Sequence, residues 1–180
     1  MAEIKSTLEL VMERTRHLKL TEEEKREQAT AEFRKGLSGL IQRCRNGALT
    51  ADRFREDLHQ LQANLQVTDR GIPFDEITKR LNLDSDNAWA LNLLAEAFGL
   101  DPFGITAVYD EYRKAVAGAA LDRAGEIRKE LEEKQGVFGT AVFPNLNADQ
   151  EWAMTQQHLR ERFEPILANQ LANLRRALNS

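Results

Sequence analysis

The sequence predicts an all-α protein: a helical bundle with a buried central helix and a long C-terminal antiparallel helical hairpin. Three observations carry that expectation. Apolar residues recur three and four positions apart along most of the chain, the period of one helix face and not of a strand. Helix-start signals at Thr21, Thr50 and Asp101-Pro102 alternate with stop signals at Asn46-Gly47 and Gly99. Residues 86–99, rich in alanine and leucine and closed by glycine, carry Ala88, Trp89, Leu91, Leu93, Leu94, Ala95 and Phe98 in nearly every helical direction. A helix that is apolar almost all round is expected to be wrapped by protein, so this stretch is read as the central post.

Size and composition fit one folded domain over residues 1–180, with residues 1–20 as an N-terminal arm and 103–180 as the hairpin. Hydrophobic residues make up 42% and charged residues 30%, too apolar a mixture for disorder. The net charge is -4, and Thr68 to Asp101 holds seven acidic residues against Arg70, Lys79 and Arg80. That balance argues against a large phosphate-contacting surface. A single cysteine, Cys44, excludes an intramolecular disulfide and a cysteine metal cluster, and its seam position makes it a small buried hydrophobe. No apolar run approaches the roughly 20 residues that span a bilayer. Charges at Glu3, Lys5, Glu9, Glu13, Arg14 and Arg16 are unlike a signal peptide, so a reducing cytoplasm is the expected home.

Taken in order, residues 3–18 form a helix with Ile4, Leu8, Val11, Met12, Thr15 and Leu18 on one face. Thr21 and Glu24 make a capping box that opens a helix to about Arg45, with Ala29, Phe33, Leu37, Leu40, Ile41 and Cys44 as its stripe. Gly36 and Gly39 inside it permit a close helix crossing or a bend. Thr50 caps a helix over about 51–65 that buries Phe54, Leu58, Leu61 and Leu65. Residues 68–71 turn, and Pro73 suits the first position of a short helix reaching Leu81.

Two long helices follow the central one. The first, about 103–134, carries Ile105, Val108, Tyr109, Tyr112, Ala115, Val116, Ala119, Ala120, Ala124, Ile127 and Leu131; the second, about 148–179, carries Trp152, Leu159, Phe163, Ile166, Leu167, Leu171, Leu174 and Leu178. Each spans ~48 Å at 1.5 Å per residue. A compact globule of this size measures ~40 Å across, so the hairpin overhangs or kinks, with Gly118, Gly125 and Pro165 as kink points. Between the helices, residues 135–147 hold no charge, and 137–143 have strand-like residue types. The favoured expectation is a plug of Val137, Phe138, Val142 and Phe143 over the open end of the bundle, because exposed large apolar groups invite aggregation.

Candidate chemistry is sparse. Residues 75–98 resemble a helix-turn-helix, with Ile77, Thr78 and Leu81 before a turn at Asn82-Leu83 and the central helix as recognition helix. That helix has no Lys or Arg between Asp84 and Gly99, whereas base and phosphate contacts need such side chains. Glu56 and His59 have the Glu-x-x-His spacing of di-iron bundles, but neither His17 nor His158 supplies the second copy such a site requires. Asn92 and Glu96 lie four apart on one side of the central helix, and Glu96, if buried, requires a partner such as Arg113, Lys114 or Tyr109.

No Gly-x-Gly-x-x-Gly, P-loop or Gly-x-Ser-x-Gly motif is present. The sequence therefore predicts no catalytic, cofactor-binding or metal-binding residue. It points to a non-catalytic cytoplasmic interaction or scaffold protein that self-associates through helical seams or takes a protein partner. Val137, Phe138, Phe143, Trp152 and Phe163 are its candidate contacts. The alternatives are a nucleic-acid-binding helix-turn-helix over 75–98, and a helical-bundle metal or small-ligand protein.

Overall fold

The computed structural model describes residues 21–139 and 141–179, which hold six α-helices and no strand. The expected arm and the helix over 3–18 lie outside the described residues. Helix α1, Glu22–Arg45, begins with both halves of the capping box: Glu24 N–H donates to Thr21 Oγ1 at 3.1 Å, and Thr21 N–H donates to Glu24 Oε2 at 2.6 Å. Helix α2, Ala51–Leu65, is capped by the Thr50 hydroxyl. It folds back along α1, and a Cβ on Gly36 would sit 3.0 Å from Leu61 Cδ1, so glycine permits this approach. Gly39 faces open space and plays no such part.

Helix α3, Gly71–Thr78, starts two residues before Pro73. The proline stays within the first turn, where its missing N–H costs nothing. A tight connection then leads to α4, Ala88–Asn92, which continues as a π-helical turn over Leu93–Ala97. Asn87, 2% exposed, pins this connection: its Nδ2 donates to the carbonyls of Asn82 (2.6 Å) and Ser85 (3.0 Å). An amide that makes these bonds avoids the cost of an unsatisfied buried polar group.

The central stretch is not wrapped on most sides. Ala90, Leu93 and Leu94 enter the core, Trp89, Leu91 and Phe98 are half-buried, and Ala88, Asn92 and Glu96 face solvent. The reason is the thinness of the surrounding layer, because much of α5 and α6 projects beyond the bundle and leaves one side of the post uncovered. Glu96 is therefore not a buried acid, and it needs no partner.

Helices α5, Phe103–Gln135, and α6, Gln150–Leu178, form the expected hairpin. Antiparallel register is set by Gly104 beside Gln170, Tyr112 against Phe163, and Arg123 paired with Asp149. The last turns of α6 reach past the start of α5 to α3, where Arg175 pairs with Asp75 at 2.9 Å. One core gathers side chains from all six helices, including Phe33, Leu37, Phe54, Ile77, Leu94, Ile105 and Phe163. Asp84, on the α3–α4 connection, fastens the hairpin to that body by accepting from Tyr112 Oη (2.7 Å) and Arg160 Nε (2.8 Å). No helix among the described residues is long and apolar enough to cross a membrane.

Candidate interaction site at the hairpin tip

The apolar stripe of α5 divides at Tyr112. Ile105, Val108, Tyr109 and Tyr112 are buried, and no residue of α5 beyond Tyr112 is. Arg113, Val116 and Ala117 still pass the α3–α4 connection, and at about 1.5 Å of rise per residue the 18 residues that follow run on for about 27 Å beside α6 and the loop. Two helices cover one face of each other and leave the remaining faces to solvent, so Leu121 and Met154 stay exposed.

Arg123 closes the projecting part. Its guanidinium meets Asp149 in a fork, Nε to Oδ1 at 2.9 Å and Nη2 to Oδ2 at 2.8 Å. It also pairs with Glu126 at 3.0 Å and Glu151 at 2.6 Å. The same Asp149 carboxylate caps α6, accepting from Trp152 N–H at 2.7 Å. The Arg123 fork and that backbone bond hold the Asp149 carboxyl below the usual range, and Asp149 and Glu126 hold the Arg123 proton more firmly than usual. Planar bidentate pairing of this type fixes geometry as well as charge. Sequence reading passed over Arg123, though its place between Ala120 and Ile127 on an otherwise apolar stripe was a signal.

Beyond this lock, α5 ends at Gly136, whose left-handed backbone (φ 63°) terminates the helix. The loop then runs back beside the last turns of α5, held by a bond from Arg128 Nε to the Val142 carbonyl at 3.1 Å. A 3₁₀ turn, Leu146–Ala148, delivers the chain to Asp149. Described residues of the loop form no strand.

The loop is not a plug. Val137 is 43% exposed, Phe138 78% and Phe143 80%, while Val142 is half-buried. The open end that a plug would fill does not exist, because α5 outruns the start of α6 and the loop lies along its flank. Trp152 and Phe163 have a different fate from the loop residues. At 5% and 3% exposed they are consumed inside the chain, Phe163 edge-on to Tyr112 with ring centroids 5.5 Å apart. Among the five expected contacts, the structure thus brings only Val137, Phe138 and Phe143 to the surface.

The other candidates resolve plainly. The second helix of the helix-turn-helix resemblance has five α-helical residues before its π turn, with Asp84 and Asp86 exposed beside it. Glu56 pairs with Arg53 at 2.7 Å instead of joining His59. No group of three or more His, Cys, Asp or Glu among the described residues is placed to hold a metal ion. Cys44 is buried, and burial pushes its thiol up to about 11, which disfavours the reactive thiolate. No family model, curated protein or solved structure matches the chain.

Proposed function

We propose that this chain is a non-catalytic cytoplasmic interaction protein that pairs with a second copy of itself through the outer half of its C-terminal hairpin. The observation that carries the reading is the presentation of Phe138 and Phe143, each more than three-quarters exposed, at the end of a projection locked by Arg123 and Asp149. Large apolar side chains held in water on a fixed scaffold are the expected anchors of a contact surface. A two-helix layer completes its burial when a second hairpin packs on it as a four-helix arrangement, and a two-fold axis makes the same patch serve both copies. The lone cysteine and the absence of any disulfide pair suit a reducing compartment.

Hydrogen–deuterium exchange at low and high protein concentration tests this reading. Protection is expected to rise with concentration in residues 117–139 and 141–158 and to stay constant in α1–α3. Concentration-independent exchange throughout the hairpin would contradict it.

A further inference from the structure

A groove of about 690 Å³ lies between α2, the α2–α3 connection and the π-helical turn. No residue of α5 or α6 lines it. Its apolar wall comes from Leu58, Pro73, Ala97 and Phe98, and Arg55, His59 and Arg70 are among its polar lining. No carboxylate side chain lines it. In a chain of net charge -4, a concavity lined by two arginines and by no carboxylate side chain stands out. Arg55 is oriented by Asp52 at 2.9 Å and by the Glu96 carbonyl at 3.4 Å. Arg70 is exposed and has no partner among the described residues.

Two uncommon backbone features converge on the same groove. Gln66, which lines it, is the sole non-glycine residue with positive φ among the described residues (φ 54°). A side chain is costly in that left-handed region, where glycine would relieve it. Ala97 and Phe98, also lining it, belong to and follow the π-helical turn Leu93–Ala97. Such turns are rare insertions in an α-helix and concentrate at functional sites. A left-handed helix cap, a π turn and a pair of arginines thus meet at one cavity.

We propose that this groove binds a small anionic amphiphile: a compact apolar body against Leu58, Pro73 and Phe98, carrying one carboxylate or phosphate that Arg70 and Arg55 receive. The volume lies in the range of small-molecule sites, and arginine's planar donors match either oxyanion. The site is independent of hairpin pairing, since it shares no element with it.

Isothermal titration calorimetry of the full chain with octanoate, octyl phosphate, 1-octanol and inorganic phosphate tests the proposal. Saturable one-to-one binding of octanoate or octyl phosphate is expected, with octanol and inorganic phosphate each at least tenfold weaker. The more tightly bound of the two anions identifies the headgroup. Arg70→Ala, at an exposed position, is expected to weaken the anionic probe at least tenfold, with partial rescue by Arg70→Lys. Equal binding of octanol, inorganic phosphate binding as tightly as the amphiphiles, an unchanged Arg70→Ala variant, or no saturable binding would each overturn it.

Discussion

The Asp84 carboxylate and the Tyr112 phenol are joined by a 2.7 Å hydrogen bond that ties the α3–α4 connection to α5, and Arg160 of α6 donates to the other carboxylate oxygen. One exposed acid thereby fixes both hairpin helices to the bundle. Asp84→Ala is expected to cost about 1–2 kcal/mol, because it leaves the Tyr112 hydroxyl and Arg160 without their shared acceptor. Tyr112→Phe should cost less, and the double variant should fall short of the sum, as contacting residues do. Urea unfolding of the four proteins measures this; strict additivity would mean the bond contributes nothing.

The α1–α2 crossing gives a paired prediction. Gly36→Val, whose Cβ meets Leu61 at 3.0 Å, should destabilise by about 1–3 kcal/mol through overpacking. Gly39→Ala, three residues on and facing open space, should stabilise by about 1 kcal/mol through helix propensity. Denaturation midpoints of opposite sign would confirm the crossing, and two shifts of the same sign would contradict it.

Tyr109 is 2% exposed, and its hydroxyl has no hydrogen-bond partner among the described residues. Tyr109→Phe should therefore raise stability by about 1 kcal/mol, since it removes an unsatisfied buried group. The same burial pushes the phenol up to about 12, and burial with the Asp84 bond also raises Tyr112. Above pH 10 the unfolded chain loses these protons while the folded chain keeps them, so stability falls as pH rises through that range. Cys44, raised from 9.0 to about 11, begins the same decline near pH 9. Stability measured from pH 8 to 12 should fall steadily, with a shallower slope in Tyr109→Phe; a flat profile would contradict the burial of these groups.

The Arg123–Asp149 lock predicts an order of damage. Asp149→Ala loses both the α6 cap and the ion pair, whereas Asp149→Asn keeps the capping oxygen, so alanine should lower Tm further. Because the folded Asp149 carboxyl lies below its ordinary value of 3.8, its contribution is present above that pH and is lost as pH falls through the lower folded value. Trp152 emission in a Trp89→Phe background reads the lock locally. A red shift is expected in Asp149→Ala, and identical spectra for both variants would count against it.

Much of this architecture was legible in the chain because local signals were strong. The Thr21–Glu24 box, the Thr50 cap and the stripe of Phe33, Leu37 and Ile41 state their elements without tertiary help. The hairpin bounds fall within two residues of the expected ones for the same reason. Burial was less legible, since periodicity reports which face is apolar and not how much protein lies beyond it. Trp89 and Leu91 remain half-buried for that reason, and Phe138 and Phe143 stand in water although apolar content alone suggested a plug. The groove was hidden because Arg55, Gln66, Arg70 and Phe98 are brought together by the fold, and neither a π turn nor a left-handed glutamine has a composition of its own.

The most direct test of hairpin pairing is sedimentation velocity of the full chain beside the Phe138→Ser, Phe143→Ser double variant. Burial of a phenylalanine side chain contributes about 1.5–3 kcal/mol, and each 1.4 kcal/mol is about tenfold in affinity. The native chain should sediment as a dimer, and the variant, with unchanged helix content, should dissociate with a Kd higher by at least roughly a hundredfold. A native chain that stays monomeric across the concentration range, or a variant that dimerises as tightly as the native protein, would contradict the account.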